Sequence, residues 1–137
     1  DVAPEIEGVT EVEGGTYALG SASNRYMEDF DIAGKIITRV IDVKENYAFI
    51  DAGRRCLGGP MGLTPVVEGH EDVKFVKMEE SSSVLMSEDR SPFAVGEVLY
   101  LLSNQQDIMV NRWDEFIALR NDVVEAVWDI PARGCHH

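Results

Sequence analysis

The chain has 137 residues, 45% of them hydrophobic and 27% charged, which suits one globular domain with a sizeable core and excludes wholesale disorder. Twelve Lys and Arg against 25 Asp and Glu give a formal net charge of −13, and so acidic a surface repels phosphate backbones and anionic lipid, so that neither nucleic acid nor a membrane is expected as a partner. No apolar run approaches the roughly 20 residues of a membrane-spanning helix, no signal-peptide pattern is visible, and a cytoplasmic location is expected.

The leading segment, residues 1–31, carries eight acids and one base, Arg25. Glu5, Glu7, Glu11 and Glu13 interleave there with Ile6, Val9 and Val12, which suits either a solvated edge strand or an arm lying across another domain. Residues 34–43 (GKIITRVIDV) are rich in β-branched side chains. With the turn-like Lys44-Glu45-Asn46 and the run 47–52 (YAFIDA) they predict a hairpin. Gly58-Gly59-Pro60 and Gly62-Leu63-Thr64-Pro65 mark a long irregular loop. A half-buried strand is predicted around Val73, Phe75 and Val76, and a short one at Val84-Leu85-Met86 after the Ser81-Ser82-Ser83 turn. Three more follow at 96–102 (GEVLYLL), 115–119 (EFIAL) and 123–130 (VVEAVWDI), the last two joined by the compact turn Arg120-Asn121-Asp122. No window of a dozen residues carries a helical stripe. The expectation is one all-β domain over residues 1–137, a small antiparallel barrel or sandwich with 1–31 as an acidic leading segment and 32–137 as the barrel core.

The residues complete no catalytic set. His70 lies in an acidic turn, Glu68-Gly69-His70-Glu71-Asp72, where a solvated loop explains it better than a Ser-His-Asp triad does. Cys56 and Cys135 read as free thiols in a reducing compartment, and the Cys135-His136-His137 ending as a frayed terminus rather than a metal site. Glu79-Glu80 and Glu28-Asp29-Asp31 lack metal-binding spacing and read as solvated surface. Residues 101–114 (LLSNQQDIMVNRWD) are different. They leave an apolar strand, turn polar through Ser103, Asn104, Gln105, Gln106 and Asp107, and then re-enter apolar residues. At a strand end, alternation sets Gln105 and Asp107 on one face, a pair suited to a metal or a polar substrate, or else to a hydrogen-bonded barrel corner.

Several blocks in order resemble the C-terminal β domain of the D-threonine aldolase and D-serine dehydratase family, fold-type III pyridoxal-phosphate enzymes of the alanine-racemase type. Gly15-Thr16-Tyr17 resembles the family's opening strand, and Asp51-Ala52-Gly53 with Arg54-Arg55 its DAG strand end. Met78-Glu79-Glu80 resembles a Glu-Glu-His segment, and Gly96-Glu97-Val98 the start of the next strand. Asn111 resembles the Asn of a TVN motif, and residues 128–134 (WDIPARG) the ARG-Gly ending. The resemblance implies an N-terminal α/β barrel of the same polypeptide, of roughly 200 to 250 residues, which carries the catalytic lysine and pyridoxal phosphate and is absent from this chain. It also implies a D-amino-acid substrate, a homodimer, and retro-aldol cleavage of D-3-hydroxy amino acids.

The family's β domain supplies a metal site through a His-x-Cys or His-x-Asp pair. That motif falls on Gln105 and Asp107, with Gln105 replacing the histidine. Such oxygen donors favour Mn or Mg over Zn. Ser81 stands in place of a second family histidine, and Ser21 and Pro60 in place of acidic residues. These departures keep open a non-catalytic binding or dimerisation module that has lost the metal site. Part of a D-serine dehydratase or an amino-acid racemase is a further alternative.

Overall fold

The computed structural model describes residues 5–58 and 64–135. Pro60, most of the Gly/Pro-rich loop, and the terminal His136 and His137 lie outside them. The described residues are mostly β, with few and short helices. Six antiparallel strands form a sheet in the order β3-β6-β1-β2-β5-β4, and β7 and β8 pair separately as a hairpin. The strands run β1 Lys35–Lys44, β2 Tyr47–Ile50, β3 Val66–Val67, β4 Lys74–Met78, β5 Ser83–Met86, β6 Val98–Leu102, β7 Glu115–Arg120 and β8 Val123–Asp129. Two helices of one turn each, α1 Arg54–Leu57 and α2 Gln106–Val110, complete the set.

β1 organises the sheet. Ile36, Thr38 and Val40 are buried while Lys35, Ile37 and Arg39 between them are exposed, the period of two of a strand with one covered face. Its first half, Lys35 to Arg39, pairs with β6, and its second half pairs with β2. The register slips between Val40 and Asp42. A bulge at this point bends the strand and increases its twist, so one strand serves two halves of the sheet and curls it into a nearly closed barrel. The fully buried side chains Ile50, Leu57, Leu85, Leu101, Val40 and Val67 come from both halves and from α1, and together they fill the interior.

All seven strands predicted from sequence are present. The short β3 escapes periodicity because two residues have no period, and α1 and α2 escape it because one turn shows no stripe. In the leading segment the edge-strand alternative fails. Residues 5–31 contribute no strand, only short 3-10 turns at Thr16–Ala18 and Ala22–Asn24, so the Gly15-Thr16-Tyr17 block is a turn and not a strand. Ile6, Val12, Tyr17 and Tyr26 are exposed along it. The segment is fixed where it meets the barrel. The amides of Ala33 and Gly34 both donate to Leu19 O at 2.8 Å, and Ala22 N donates to Ser103 O at 2.8 Å. Gly20, at φ +71°, approaches Ile32 so closely that a Cβ would lie 2.8 Å from its Cα.

The hairpin of β7 and β8 closes through Asn121 and Asp122, both at positive φ (51° and 62°). Asn and Asp tolerate this conformation in a two-residue turn, whose twist matches the strands it joins.

Asp51, just past β2, accepts hydrogen bonds from the Arg39 amide (2.9 Å) and the Thr38 hydroxyl (2.6 Å). Burial pushes its carboxyl pKa up, but those two bonds and the Arg39 charge outweigh it and hold the group below its ordinary value. A depressed native pKa means that the folded state favours the carboxylate. The stabilisation is therefore complete above the ordinary carboxylate pKa and is lost as pH falls through the lower native value. Asp51→Asn is expected to flatten the acid limb of stability against pH between neutrality and pH 3. Urea midpoints across that range are the check, and an unchanged acid limb would show that Asp51 carries no such linkage.

Candidate functional site

The segment between β6 and β7 is a helical turn rather than a continued strand, which corrects the alternation expected for Gln105 and Asp107. Gln105 is the residue before α2, in extended conformation (φ −136°, ψ 96°), and Asp107 lies in the first turn. The backbone changes direction at Ser103. Its buried hydroxyl accepts the Gln105 amide at 3.1 Å and donates to Gln105 O at 3.0 Å, the local side-chain competition that ends a strand. Asn104 is held on both sides. Ser23 Oγ donates to its carbonyl at 3.1 Å, and its Nδ2 donates to Thr64 O.

α2 turns Gln106 and Met109 inward and leaves Asp107 and Ile108 exposed. Two buried acceptors, Gln105 Oε1 and Gln106 Oε1, have no hydrogen-bond partner among the described residues. A buried amide oxygen without a donor is costly, and a hard cation is one species that satisfies such an atom. Among the described residues no three His, Cys, Asp or Glu side chains gather as a metal cluster. The two ligands expected from sequence offer oxygen donors only, and the Asp107 side chain is exposed while Gln105 Oε1 is buried.

α1 packs beside α2. Gly58, at φ +63°, ends α1 so close to Ile108 that a Cβ would stand 2.6 Å from its Cγ2. Trp113 Nε1 donates to Cys56 O at 3.1 Å. The Cys56 thiol is pushed up in pKa by burial and bonds to Gly53 O at 3.2 Å, so it is a packed thiol rather than a thiolate ligand. Beyond the helices, Asn111 Oδ1 accepts the Gly134 amide (2.7 Å), Asp114 O accepts the Ile130 amide (2.8 Å), and Arg133 pairs with Asp114. The Asn111 and ARG-Gly blocks, separated in sequence, are thus physical partners.

Together these pieces border a cleft of about 690 Å³ lined by Arg55, Asp107, Ile108, Asn111, Arg112 and Arg133. Asp107 is the one sequence-predicted ligand on its wall. Arg55 and Arg133 were visible only inside separate family-like blocks, and nothing in the sequence grouped the three arginines, because they come from α1, the end of α2 and the chain's last residues. The other candidates lie elsewhere. His70 stacks edge-on against Phe93, with ring centroids 4.8 Å apart. Glu79 is exposed and pairs with Lys77, whose hydrogen bond and charge lower its pKa. Glu80 stands 3.6 Å from Arg55. Glu28, Asp29, Asp31 and Ser81 are exposed, and Ser21 is buried, donating to Asn24 Oδ1 at 2.7 Å.

Comparison with known proteins fits this architecture. A family model described as "Putative serine dehydratase domain" matches residues 33–119. The chain belongs to that family. Within the serine dehydratase domain family, it is 31% identical to a 3-hydroxy-D-aspartate aldolase of Paracoccus denitrificans (strain Pd 1222), over 90% of this chain and 34% of that protein. The D-threonine aldolase of Filomicrobium marinum has a similar structure, with a TM-score of 0.82 and 26% identity over 95% of this chain and 38% of that one. A D-threo-3-hydroxyaspartate dehydratase from Delftia sp. HT23 shares the fold at a TM-score of 0.70 and 20% identity, over 90% of this chain and 39% of that one. The serine dehydratase-type domain described above spans about a third of the length of its curated relatives, and it matches the C-terminal domain of D-threonine aldolase-like enzymes. No described helix is long and apolar enough to cross a membrane.

Proposed function

We propose that the chain is the metal-site-bearing domain of a pyridoxal-phosphate-dependent D-amino-acid lyase that cleaves D-3-hydroxy amino acids in the retro-aldol sense. The polypeptide would include an N-terminal α/β barrel and work as a cytoplasmic homodimer. The observation that carries the reading is the cleft wall itself. Asp107 stands there two residues after Gln105, whose buried Oε1 has no partner among the described residues, in a chain that belongs to the family and is similar to aldolases acting on such amino acids.

The cofactor, bound by the other domain, supplies an electron sink for the carbon–carbon cleavage. Asp107 and Gln105 are the residues that would hold a divalent cation. Their oxygens suit Mn or Mg better than Zn, and a cation there lowers the pKa of a coordinated hydroxyl. Arg133, pinned by Asp114, keeps one cleft wall in place, and the Trp113 bond to Cys56 holds α1 beside α2.

The test uses the complete polypeptide with D-threonine, D-serine, D-alanine and D-3-hydroxyaspartate as substrates. Asp107→Ala is expected to lower turnover by at least about 10- to 100-fold, the range seen when a metal's ligand environment is weakened, and to lower bound metal in parallel. Aldehyde products identify an aldolase, keto acids with ammonia a dehydratase, and an enantiomer a racemase. Activity indifferent both to a chelator and to Asp107→Ala would instead make this domain a binding or dimerisation module.

A further inference from the structure

We propose that the outward face of the β7–β8 ribbon is a docking surface, and that its occupant is the N-terminal domain of the same polypeptide. This rests on the part of the reading above that gives the polypeptide such a domain, and on neither its metal nor its reaction.

The ribbon's polarity is inverted for a free hairpin. Residues opposite each other in an antiparallel pair share a face, so the partners Ile117 and Val127, and Leu119 and Val124, form one patch. All four are 45–62% exposed. The half-buried residues Phe116, Ala118 and Ala126 all lie on the other face. A two-stranded ribbon is marginal in water until something packs against it, and a contiguous apolar patch on the open face marks the side from which that packing comes.

The charges beside the patch describe the occupant further. At its base Glu115 stands opposite Asp129. Like charges so placed repel, and neither carboxylate has an ion-pair partner among the described residues. The complementary surface is therefore apolar, with a Lys or Arg at its edge.

Area selects a tethered occupant. β7 has six residues, which at ordinary strand spacings gives the ribbon a face of about 20 Å by 10 Å. Covering it removes on the order of 500 Å² of accessible surface from both sides together, well under the roughly 1,200 Å² at which stable interfaces between separate molecules begin. A second copy would also bring another net charge of −13 and the same two carboxylates to the contact. A contact this small holds when both sides belong to one polypeptide, because the linkage keeps the occupant at an effective concentration of about millimolar. In the 3-hydroxy-D-aspartate aldolase the matched region is 34% of the protein, so such a polypeptide has ample chain elsewhere to supply the surface.

Hydrogen exchange read by mass spectrometry, on the complete polypeptide and on the 137-residue chain, is the test. Amides of residues 115–129 are expected to exchange at least about tenfold more slowly in the complete polypeptide, whatever its concentration. Val127→Thr keeps the β-branched shape and replaces an apolar methyl with a hydroxyl. It should remove most of that protection in the complete polypeptide and change little in the 137-residue chain. Glu115→Lys should act with opposite signs. It relieves the pair with Asp129 and slows exchange in the 137-residue chain, but it repels the occupant's base and speeds exchange in the complete polypeptide.

Equal exchange in the two proteins, or a Val127→Thr effect of equal size in both, would overturn the proposal. So would protection lost on diluting the complete polypeptide or gained on concentrating the 137-residue chain, since either means that a second copy covers the face. The same sign for Glu115→Lys in both would overturn the basic edge. None of these readouts needs metal, cofactor or turnover. A protected ribbon in a polypeptide without lyase activity would count against the lyase reading alone, and an unprotected ribbon in an active lyase against this inference alone.

Discussion

Leu101→Ala is expected to cost about 2–5 kcal/mol of folding stability, the range for truncating a leucine in a packed core. Leu101 is fully buried at the centre of β6, opposite Ile36 of β1 and Val67 of β3. β1 is held in turn by its ladder to β2, and Val67 of the edge strand β3 is itself fully buried, so the space left by three missing carbons cannot close easily. A domain of this size has about 5–15 kcal/mol in all, so the variant should lose a large share of it and unfold at a markedly lower urea concentration. Leu119→Ala, on the exposed β7, should shift the midpoint by no more than about 0.5 kcal/mol. Comparable losses at the two positions would show that the six-stranded sheet does not enclose the dominant core.

Gly53→Ala comes next, with an expected loss of about 3 kcal/mol. Its φ of −130° is open to any residue, so the reason is space alone. A Cβ there would lie 2.5 Å from Ser82 N, 2.6 Å from Glu79 O and 2.7 Å from Glu80 C. All three are backbone atoms and cannot rotate away. The loop that bears them is locked to the same stretch. The amides of Arg54 and Arg55 donate to Glu79 O and Glu80 O at 2.9 and 3.0 Å, and Ser83 Oγ donates to Ala52 O at 2.7 Å. Relieving the clash must break some of these bonds and move α1, and with it the wall that carries Arg55. Gly15→Ala, which meets nothing within 4 Å, is the matched control. Urea unfolding of both variants is the measurement, and equal midpoints would show that the 79–82 loop yields without cost.

These two residues mark what sequence conveys well and what it conveys badly. Leu101 lies in a run, GEVLYLL, whose β-branched and apolar content announces a strand, and β1, β2, β5, β7 and β8 are as legible for the same reason. Gly53 was visible only as part of a DAG block, and the physical reason for its glycine, a crossing backbone 29 residues later in sequence at Ser82, is a tertiary fact. The candidate site divides in the same way. Asp107 stands out because polar residues interrupt an apolar run, yet the direction of its side chain was misjudged, because a five-residue helix leaves no periodic trace and Ser103 turns the backbone without altering composition. Arg55, Arg112 and Arg133 were unreadable as a group, since only folding brings α1, α2 and the last residues to one cleft.

The ribbon of β7 and β8 shares no ladder with the barrel and is fastened at its base by the ties of Asn111 to Gly134 and of Asp114 to Ile130 and Arg133. Those ties act as a clasp on a loop of some twenty residues, lowering the entropy of its open states as a crosslink would, though reversibly. Opening the clasp frees the ribbon without disturbing the barrel, so the two behave as separate cooperative units, the ribbon exchanging its amide protons by local opening long before the sheet does. Because Arg133 belongs to both the clasp and the cleft, the guanidinium wall holds its shape only while that ribbon stays closed.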